Sequence, residues 1–582
     1  MSTLELNSGL DERVAELVSE YSAPSACLAW LLCDRHPADK VAYDVLDSQG
    51  NTERLTYGEL KRRSEAFSAG LASIGVRAGD RVATLSGKSV EYLIGLVGIW
   101  RLGAVHVPLF TAFAPPAIAQ RLAGSKAKVA ICDASQVGKL VATEGDEQPI
   151  AVTDLVVIGR DDTSLAGWQI HKFDDLAAEG RPKVPAAVLG GDAPFIHIYT
   201  SGTTGKPKGV VVPIRAIAAF RAYIEFGIGL RPSDVYWCAA DPGWAYGLYF
   251  GVIGSLSTGV HSLLLKGVFD AAATYQILAE RNVTNFAAAP TVYRSLMCSE
   301  VSPPQDLKLR CASSAGEPLT PDVNEWAQSA LGTLVFDHYG QTEAGMLINN
   351  HHDPRLAREV RPGSMGISMP GWKAVVLDRS EDVELPTGEI GRVAFNLAES
   401  PLAWFHGYDA APEKSAEKFS ANREYYLSGD LGKMDADGAF FFSAREDDVI
   451  IMAGYRIGPF EVESVIAAHP AVAECAVIAA PDKIRGEVVE AYVVLRQAFA
   501  PSPAMAEEIQ QWVKTRYAAH AYPRRVHFAT ELPKTPSGKI QRFVLRAARN
   551  AGLANPANSQ KNADDCVDTF DTRIRSYLHG KP

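Results

Sequence analysis

Residues Tyr199 to Gly209 read YTSGTTGKPKG, a composition suited to handling phosphate. Gly202, Gly205 and Gly209 free the backbone to bend, Thr200, Ser201, Thr203 and Thr204 supply hydroxyl donors, and Lys206 and Lys208 supply charge. The strand-like runs FIHI and VVVP on either side make the segment a loop between two buried strands rather than a free linker. It is not a Walker loop, which needs Ser or Thr after its Gly-Lys pair; here Pro207 follows Gly205-Lys206.

The elements that must hold such a loop alternate along the chain. LTYGELKRRSEAFSAGLASIG has helical periodicity, DRVATLSG reads as a short strand, SVEYLIGLVGIWRLGA as a helix and AKVAICD as a strand. Comparable alternation continues to about Asn396, which predicts a large, multi-layer α/β domain over residues 1–444. The charged run Arg445-Glu446-Asp447-Asp448 then reads as a linker or hinge over 445–448. EVESVIAAHP, AECAVIAAP, VVEAYVVL and AEEIQQWVKTRYAAH predict a small, mobile α+β domain over 449–554, and 555–582 reads as a polar tail.

The chain has 582 residues, 47% hydrophobic and 21% charged, with a formal net charge of -11. That is ordinary globular composition, and it offers no overall basic field for nucleic acid or an anionic membrane. Eight scattered cysteines form no CxxC pair and no Cys/His ligand spacing, so they read as reduced thiols. The N-terminal residues lack a secretory pattern, and a cytoplasmic location is the expectation. Pro242–Leu265 carries no Asp, Glu, Lys or Arg, but five glycines interrupt it; it reads as a buried helix and strand, not a membrane span.

At the Tyr199–Gly209 loop the sequence resembles the adenylate-forming superfamily of acyl-CoA synthetases, luciferases and peptide-synthetase adenylation domains. Further motifs of that family follow in order across about Leu55 to Arg546. Gly316-Glu317-Pro318 looks like the loop that seats adenine, and Asp337-His338-Tyr339-Gly340-Gln341-Thr342-Glu343 like the aromatic-Gly-x-Thr-Glu motif. The resemblance implies that the Tyr339 ring packs on the base, Thr342 reaches a phosphate and Glu343 holds Mg²⁺. Tyr426-Leu427-Ser428-Gly429-Asp430 resembles the ribose motif, with Arg445 beside the sugar and Asp447 as the hinge. Ala453-Gly454-Tyr455-Arg456 is similar to the segment where Gly454 admits the pantetheine arm and Arg456 meets phosphate. Leu532-Pro533-Lys534-Thr535-Pro536-Ser537-Gly538-Lys539 resembles the motif whose last lysine enters the active site, so Lys539 is the foremost catalytic candidate, with Glu343 and Thr204.

The function this implies uses ATP, Mg²⁺ and coenzyme A to convert a carboxylic acid first to an acyl adenylate and then to a thioester. Trp244, Ala245, Tyr246, Ala315 and Gly340 would line the acyl pocket. In acetate-specific members a tryptophan stands where this chain has Gly340, so the glycine implies a deeper pocket and a short-to-medium-chain or branched acid. Tyr246 can refill that space. Lys514 and Arg516 are candidates for the phosphates of coenzyme A. Acetyl- or propionyl-CoA synthetase, aryl-CoA ligase, an adenylating enzyme with another acceptor and an inactive nucleotide sensor are the rival readings. A homodimer and a lysine acetyltransferase acting on Lys539 are further expected partners.

Overall fold

A computed structural model describes residues 3–47, 49–140, 151–159, 167–200, 207–267, 269–446, 448–452, 455–482, 486–518, 521–535 and 539–553. Among them, two sheets build the large domain. In one, six strands run parallel side by side in the order Val41–Leu46, His261–Leu265, Val235–Cys238, Asn285–Ala288, Cys311–Ala315 and Val335–Gln341. It continues antiparallel through Gly345–Asn349, Ser364–Ser368, Phe440–Arg445 and Tyr425–Met434. In the other, Pro194–Thr200, Val105–Pro108, Arg81–Leu85, Val129–Asp133 and Asp154–Ile158 are parallel, and Lys208–Pro213 returns antiparallel beside Pro194–Thr200.

The helices between these sheets show why the sequence folds this way. In Val90–Arg101 every residue but Glu91 is buried, the pattern of a helix covered on all sides. Its first turn is capped by the Ser89 hydroxyl, which accepts the Tyr92 N–H at 3.0 Å, a cap worth about 1 kcal/mol. Arg101 is buried at its end and is paired by Asp34 at 2.6 and 3.0 Å, which offsets the desolvation of the guanidinium. A Cβ on Gly98 would stand 2.8 Å from the Phe67 ring, so glycine there lets this helix close on Tyr57–Ser73. The uncharged stretch Pro242–Leu265 forms a wide helical segment, Gly247–Gly254, continued by Ser255–Thr258 and then by the strand His261–Leu265. Among the described residues, no helix is long and apolar enough to cross a membrane.

The small domain has a core of its own, with Ile450, Val462, Ile466, Val477, Val489, Val493, Ile509 and Val513 at its centre. Helices Pro459–Ala467, Pro503–Arg516 and Arg542–Leu553 accompany a sheet in which Val472–Asp482 and Gly486–Leu495 form a long antiparallel pair. Fully buried Glu490 accepts from Arg549 at 2.8 Å, His527 at 2.9 Å and Arg525 at 3.1 Å. Burial alone would raise its pKa from 4.5, but the hydrogen bonds of His527 and Arg549 outweigh it and bring the value down to about 2. The folded-state pKa is thus depressed, so this carboxylate contributes stability above pH 4.5 that is lost as pH falls towards 2. Glu490→Gln is expected to lower stability by about 3 kcal/mol at neutral pH. It should also flatten the acid side of the Tm-versus-pH curve in calorimetry of the full chain. An acid limb as steep as that of the parent would refute this.

Candidate active site

A cavity of about 820 Å³ opens where the carboxyl ends of the parallel strands Cys311–Ala315 and Val335–Gln341 meet the small domain. Ligand sites in open α/β sheets form at such strand ends, because the connecting loops diverge there. After Ala315 the chain turns through Gly316 at φ +102°, a conformation that favours glycine. Glu317 follows and is fixed by Arg294, whose guanidinium donates to it at 3.0 Å. Thr200 and Lys208 are register partners across the strand pair that carries the phosphate-type loop, and both bound the cavity. Ser201, Gly202, Thr203, Thr204 and Gly205 lie outside the described residues.

Val335–Gln341 and the turn after it place one long motif along the wall. Asp337 bounds the cavity, accepts the Leu319 N–H at 3.2 Å, and has its pKa pushed up to about 8 by burial. The Tyr339 hydroxyl donates to Asp430, and Gln341 donates to the same Asp430 oxygen at 2.9 Å and to the Ser428 carbonyl at 2.9 Å. Tyr426 in turn donates to Gln341 at 2.6 Å. Arg445 is the cross-strand partner of Asp430, with a guanidinium nitrogen 3.4 Å from it. Asp430 is therefore a buried, pre-oriented acceptor facing the cavity.

Thr342 and Glu343 follow on the cavity wall, where the Tyr408 hydroxyl donates to Glu343 at 2.7 Å. Lys208 lies with its ammonium 4.7 Å from the Tyr408 ring centre. No group of three or more His, Cys, Asp or Glu side chains forms a metal cage among the described residues. A lone carboxylate does fit Mg²⁺ delivered with a nucleotide, since that ion takes one or two protein carboxylates and fills its shell with phosphate and water.

Lys539 enters the cavity from the small domain. Its Cε lies 3.6 Å from the position a Cβ on Gly316 would occupy. Lys539 and Thr535 bond each other: the Lys539 N–H donates to Thr535 Oγ1 at 3.0 Å, and the Thr535 N–H donates to the Lys539 carbonyl at 2.6 Å. Arg542 just beyond it is clamped by Glu463 at 2.7 and 2.8 Å. The domains meet closely here, with Phe442 and Phe460 rings 5.8 Å apart and the Ser443 carbonyl 2.5 Å from where a Gly458 Cβ would be. Lys539 keeps surface open to the cleft, yet the surrounding walls lower its pKa by desolvation, against the opposing pull of Glu317, Asp430 and Glu343.

Several expected residues sit elsewhere. Gly340 bounds the cavity, but its missing Cβ faces Gly345–Asn349: a Cβ would stand 2.3 Å from the Gly345 carbonyl and 2.6 Å from Met346 Sδ. The glycine is required by the close approach of two strands, which corrects the expectation that it deepens the acyl pocket. Trp244 and Ala245 bound the cavity, with Trp244 packed on Phe110 and Phe113 at 5.5 and 5.3 Å, whereas Tyr246 and Ala315 stand behind its wall. Lys514 and Arg516 lie away from the cavity; Arg516 stacks on Trp512 at 3.4 Å and Lys514 lies 5.6 Å over Tyr522. Asp447 and Gly454 fall outside the described residues, and Arg456 is described only as part of the strand Tyr455–Ile457.

The sequence offered no signal for Lys418, whose ammonium donates to the Ser428 carbonyl at 2.8 Å on the cavity wall. Burial lowers its pKa, while Glu343 and Asp430 oppose the shift. Tyr408 and Arg294, which orient Glu343 and Glu317, also lie outside every motif.

The profile described as AMP-binding enzyme matches residues 31–398, and that of the AMP-binding enzyme C-terminal domain matches 461–539. The chain is 35% identical over 528 residues to the acetyl-coenzyme A synthetase of Bacillus subtilis, covering 89% of this chain and 90% of that protein. It is 34% identical over 519 residues to the mitochondrial acyl-coenzyme A synthetase ACSM4 of Rattus norvegicus, covering 88% and 87%. Among solved structures, an acyl-CoA synthetase of Brucella canis is 40% identical with a TM-score of 0.71, over 93% of this chain and 98% of that one. The anthranilate CoA ligase AuaEII, in complex with anthranoyl-AMP, is 28% identical with a TM-score of 0.80, over 91% and 98%. Sequence and fold thus agree over nearly the whole chain: it belongs to the AMP-binding enzyme family and is a carboxylate–CoA ligase that works through an acyl adenylate.

Proposed function

We propose that this ligase acts on a short-to-medium-chain or branched monocarboxylic acid with an apolar acyl group. Lys539, presented by the small domain beside Gly316 in a cavity that also holds Glu317, Asp430 and Glu343, marks the adenylation centre, and the apolar wall of Trp244 and Ala245 carries the reading of the acid. A nucleotide-only sensor would not need an ammonium brought from a second domain to that point. Trp244 is itself held by Phe110 and Phe113, an apolar surround suited to a hydrocarbon chain.

In the first half-reaction a substrate carboxylate oxygen bonds to the α-phosphorus of ATP, the bond to the bridging oxygen breaks, and pyrophosphate leaves. Asp430 and Arg445 hold the ribose, Gly316, Glu317, Pro318, Asp337 and Tyr339 form the adenine seat, and Thr200, Lys208 and Thr342 meet phosphate oxygens. Lys539 stabilises the charge that builds at the α-phosphate, so catalysis is positioning and electrostatics without a protein nucleophile. Glu343 would hold Mg²⁺, which supplies charge neutralisation between phosphate oxygens when bound. In the second half-reaction the small domain turns about the 445–448 segment, Lys539 withdraws, and Gly454 admits the pantetheine arm, whose thiolate displaces AMP from the acyl carbon. A lysine acetyltransferase acting on Lys539 would silence only the first half.

ATP–pyrophosphate exchange, followed by thioester formation, across acetate, propionate, butyrate, isobutyrate, hexanoate and benzoate tests this reading. Highest kcat/KM on butyrate, isobutyrate or hexanoate is expected. Highest kcat/KM on acetate or benzoate would replace the proposed acid class. Exchange with no acid at all would remove the ligase reading itself.

A further inference from the structure

Behind the acyl wall a chain of hydrogen bonds links Tyr246 to the nucleotide motif. The Tyr246 and Tyr223 hydroxyls are 3.0 Å apart, the Tyr223 hydroxyl lies 2.6 Å from His338 Nδ1, and His338 Nε2 lies 2.8 Å from the Asn350 carbonyl. The far end decides the direction of every bond. A carbonyl only accepts, so His338 carries its hydrogen on Nε2, and a buried neutral imidazole then leaves Nδ1 bare to accept from Tyr223. Tyr223 has spent its one hydrogen, so Tyr246 must donate to the Tyr223 oxygen.

Tyr223 is a rigid anchor for that bond. It is fully buried on the wide helical turn Tyr223–Gly227, and its Cδ2 lies 2.4 Å from where a Gly227 Cβ would be, so the ring occupies space that only glycine leaves. It packs edge-on to Phe250 at 4.5 Å and to His338 at 5.3 Å. Tyr246 has less support. It is partly exposed, follows the lining residues Trp244 and Ala245 in sequence, and touches Phe250 at 5.2 Å, and its hydroxyl is held by Tyr223. Without the hydrogen bond its ring can rotate and open space behind Ala245.

We propose that Tyr223 is a specificity-determining positioning residue, which pins Tyr246 behind the Trp244–Ala245 wall and so limits the acyl-chain length that the wall can give way to. This rests on the acyl group lying against Trp244 and Ala245, as in the function proposed above. Tyr223 makes no contact with the acid; it acts through Tyr246. His338 belongs to the same device, because its fixed tautomer gives the chain its direction.

The test compares kcat/KM for acetate, butyrate, hexanoate and octanoate in the full-length parent, Tyr223→Phe, Tyr246→Phe, Tyr246→Ala and the Tyr223→Phe/Tyr246→Ala double variant, together with KM for ATP. Tyr223→Phe is expected to shift the ranking towards longer acids by about tenfold, the discrimination an apolar wall gives for a methylene, with KM for ATP unchanged. Tyr246→Phe breaks the same bond from the other side while keeping both rings, so it must reproduce the shift even should Tyr223→Phe fail to fold. The double variant should match Tyr246→Ala alone, because the two positions act as one unit. An unchanged ranking in Tyr223→Phe and Tyr246→Phe, or effects that add in the double variant, would overturn the pin while leaving the ligase reading standing. Parent enzyme that turns over none of these acids would overturn both.

Discussion

Lys539→Ala is expected to lower acyl-adenylate formation by about 10²- to 10³-fold, the usual cost of removing one electrostatic group aimed at a transition state. ATP–pyrophosphate exchange at saturating acid and ATP measures it. Thioester formation from supplied acyl adenylate should stay within about threefold of the parent, because the proposed mechanism withdraws Lys539 in that half-reaction. The geometry sets this expectation: the side chain reaches Gly316 from a backbone bonded to Thr535 and anchored through the Arg542–Glu463 pair. The ammonium, not the amine, does the work, and desolvation lowers its pKa. Activity is therefore present below that pKa and lost as pH rises through it, so the alkaline limb of kcat/KM in exchange should fall at lower pH than an ordinary lysine would give. Equal loss in both half-reactions would show that Lys539 only supports the fold.

The second large effect belongs to Asp430. Replacement by alanine removes the buried acceptor shared by Tyr339 and Gln341 and the counter-charge of the partly exposed Arg445. Leaving a buried donor such as the Tyr339 hydroxyl without its acceptor costs about 1–3 kcal/mol of stability, so Tm should fall clearly. Asp430→Asn keeps the volume and separates binding from folding. Two hydrogen bonds from a ribose to a carboxylate are each worth about 1.5 kcal/mol, so KM for ATP should rise about 10²-fold in the asparagine variant while KM for the acid stays near that of the parent. Folded Asp430→Asn enzyme with unaltered KM for ATP would remove the ribose role.

Much of the site was legible because its chemistry is carried by local runs. Tyr199–Gly209, Asp337–Glu343, Tyr426–Asp430 and Leu532–Lys539 each place donors, a carboxylate or a cation within a few residues of a glycine or turn, and each of these runs contributes to the cavity wall. The helices and strands around them were legible for the same reason: Val90–Arg101 is apolar except at Glu91 and Arg101, and Val129–Asp133 is a short, largely buried run.

Gly340 marks where local reading stopped. A missing side chain signals space, but whether that space faces a ligand or another strand depends on the antiparallel pairing of Val335–Gln341 with Gly345–Asn349, which brings the Gly345 carbonyl to the spot. The sequence shows Lys514 and Arg516 as basic residues, but only the packing of their helix sets them over Tyr522 and Trp512.

By itself the sequence determined the family, the two-domain α/β plan and the runs that line the cavity, since those depend on residue type and short-range order. Only the tertiary structure decided that Lys418, Tyr408 and Arg294 join that lining, that Gly340 serves strand packing, and that Tyr223 holds Tyr246. Each of these is a contact between residues far apart in the chain. Their partners are chosen by how sheets and helices pack, and neither spacing nor composition encodes that choice locally.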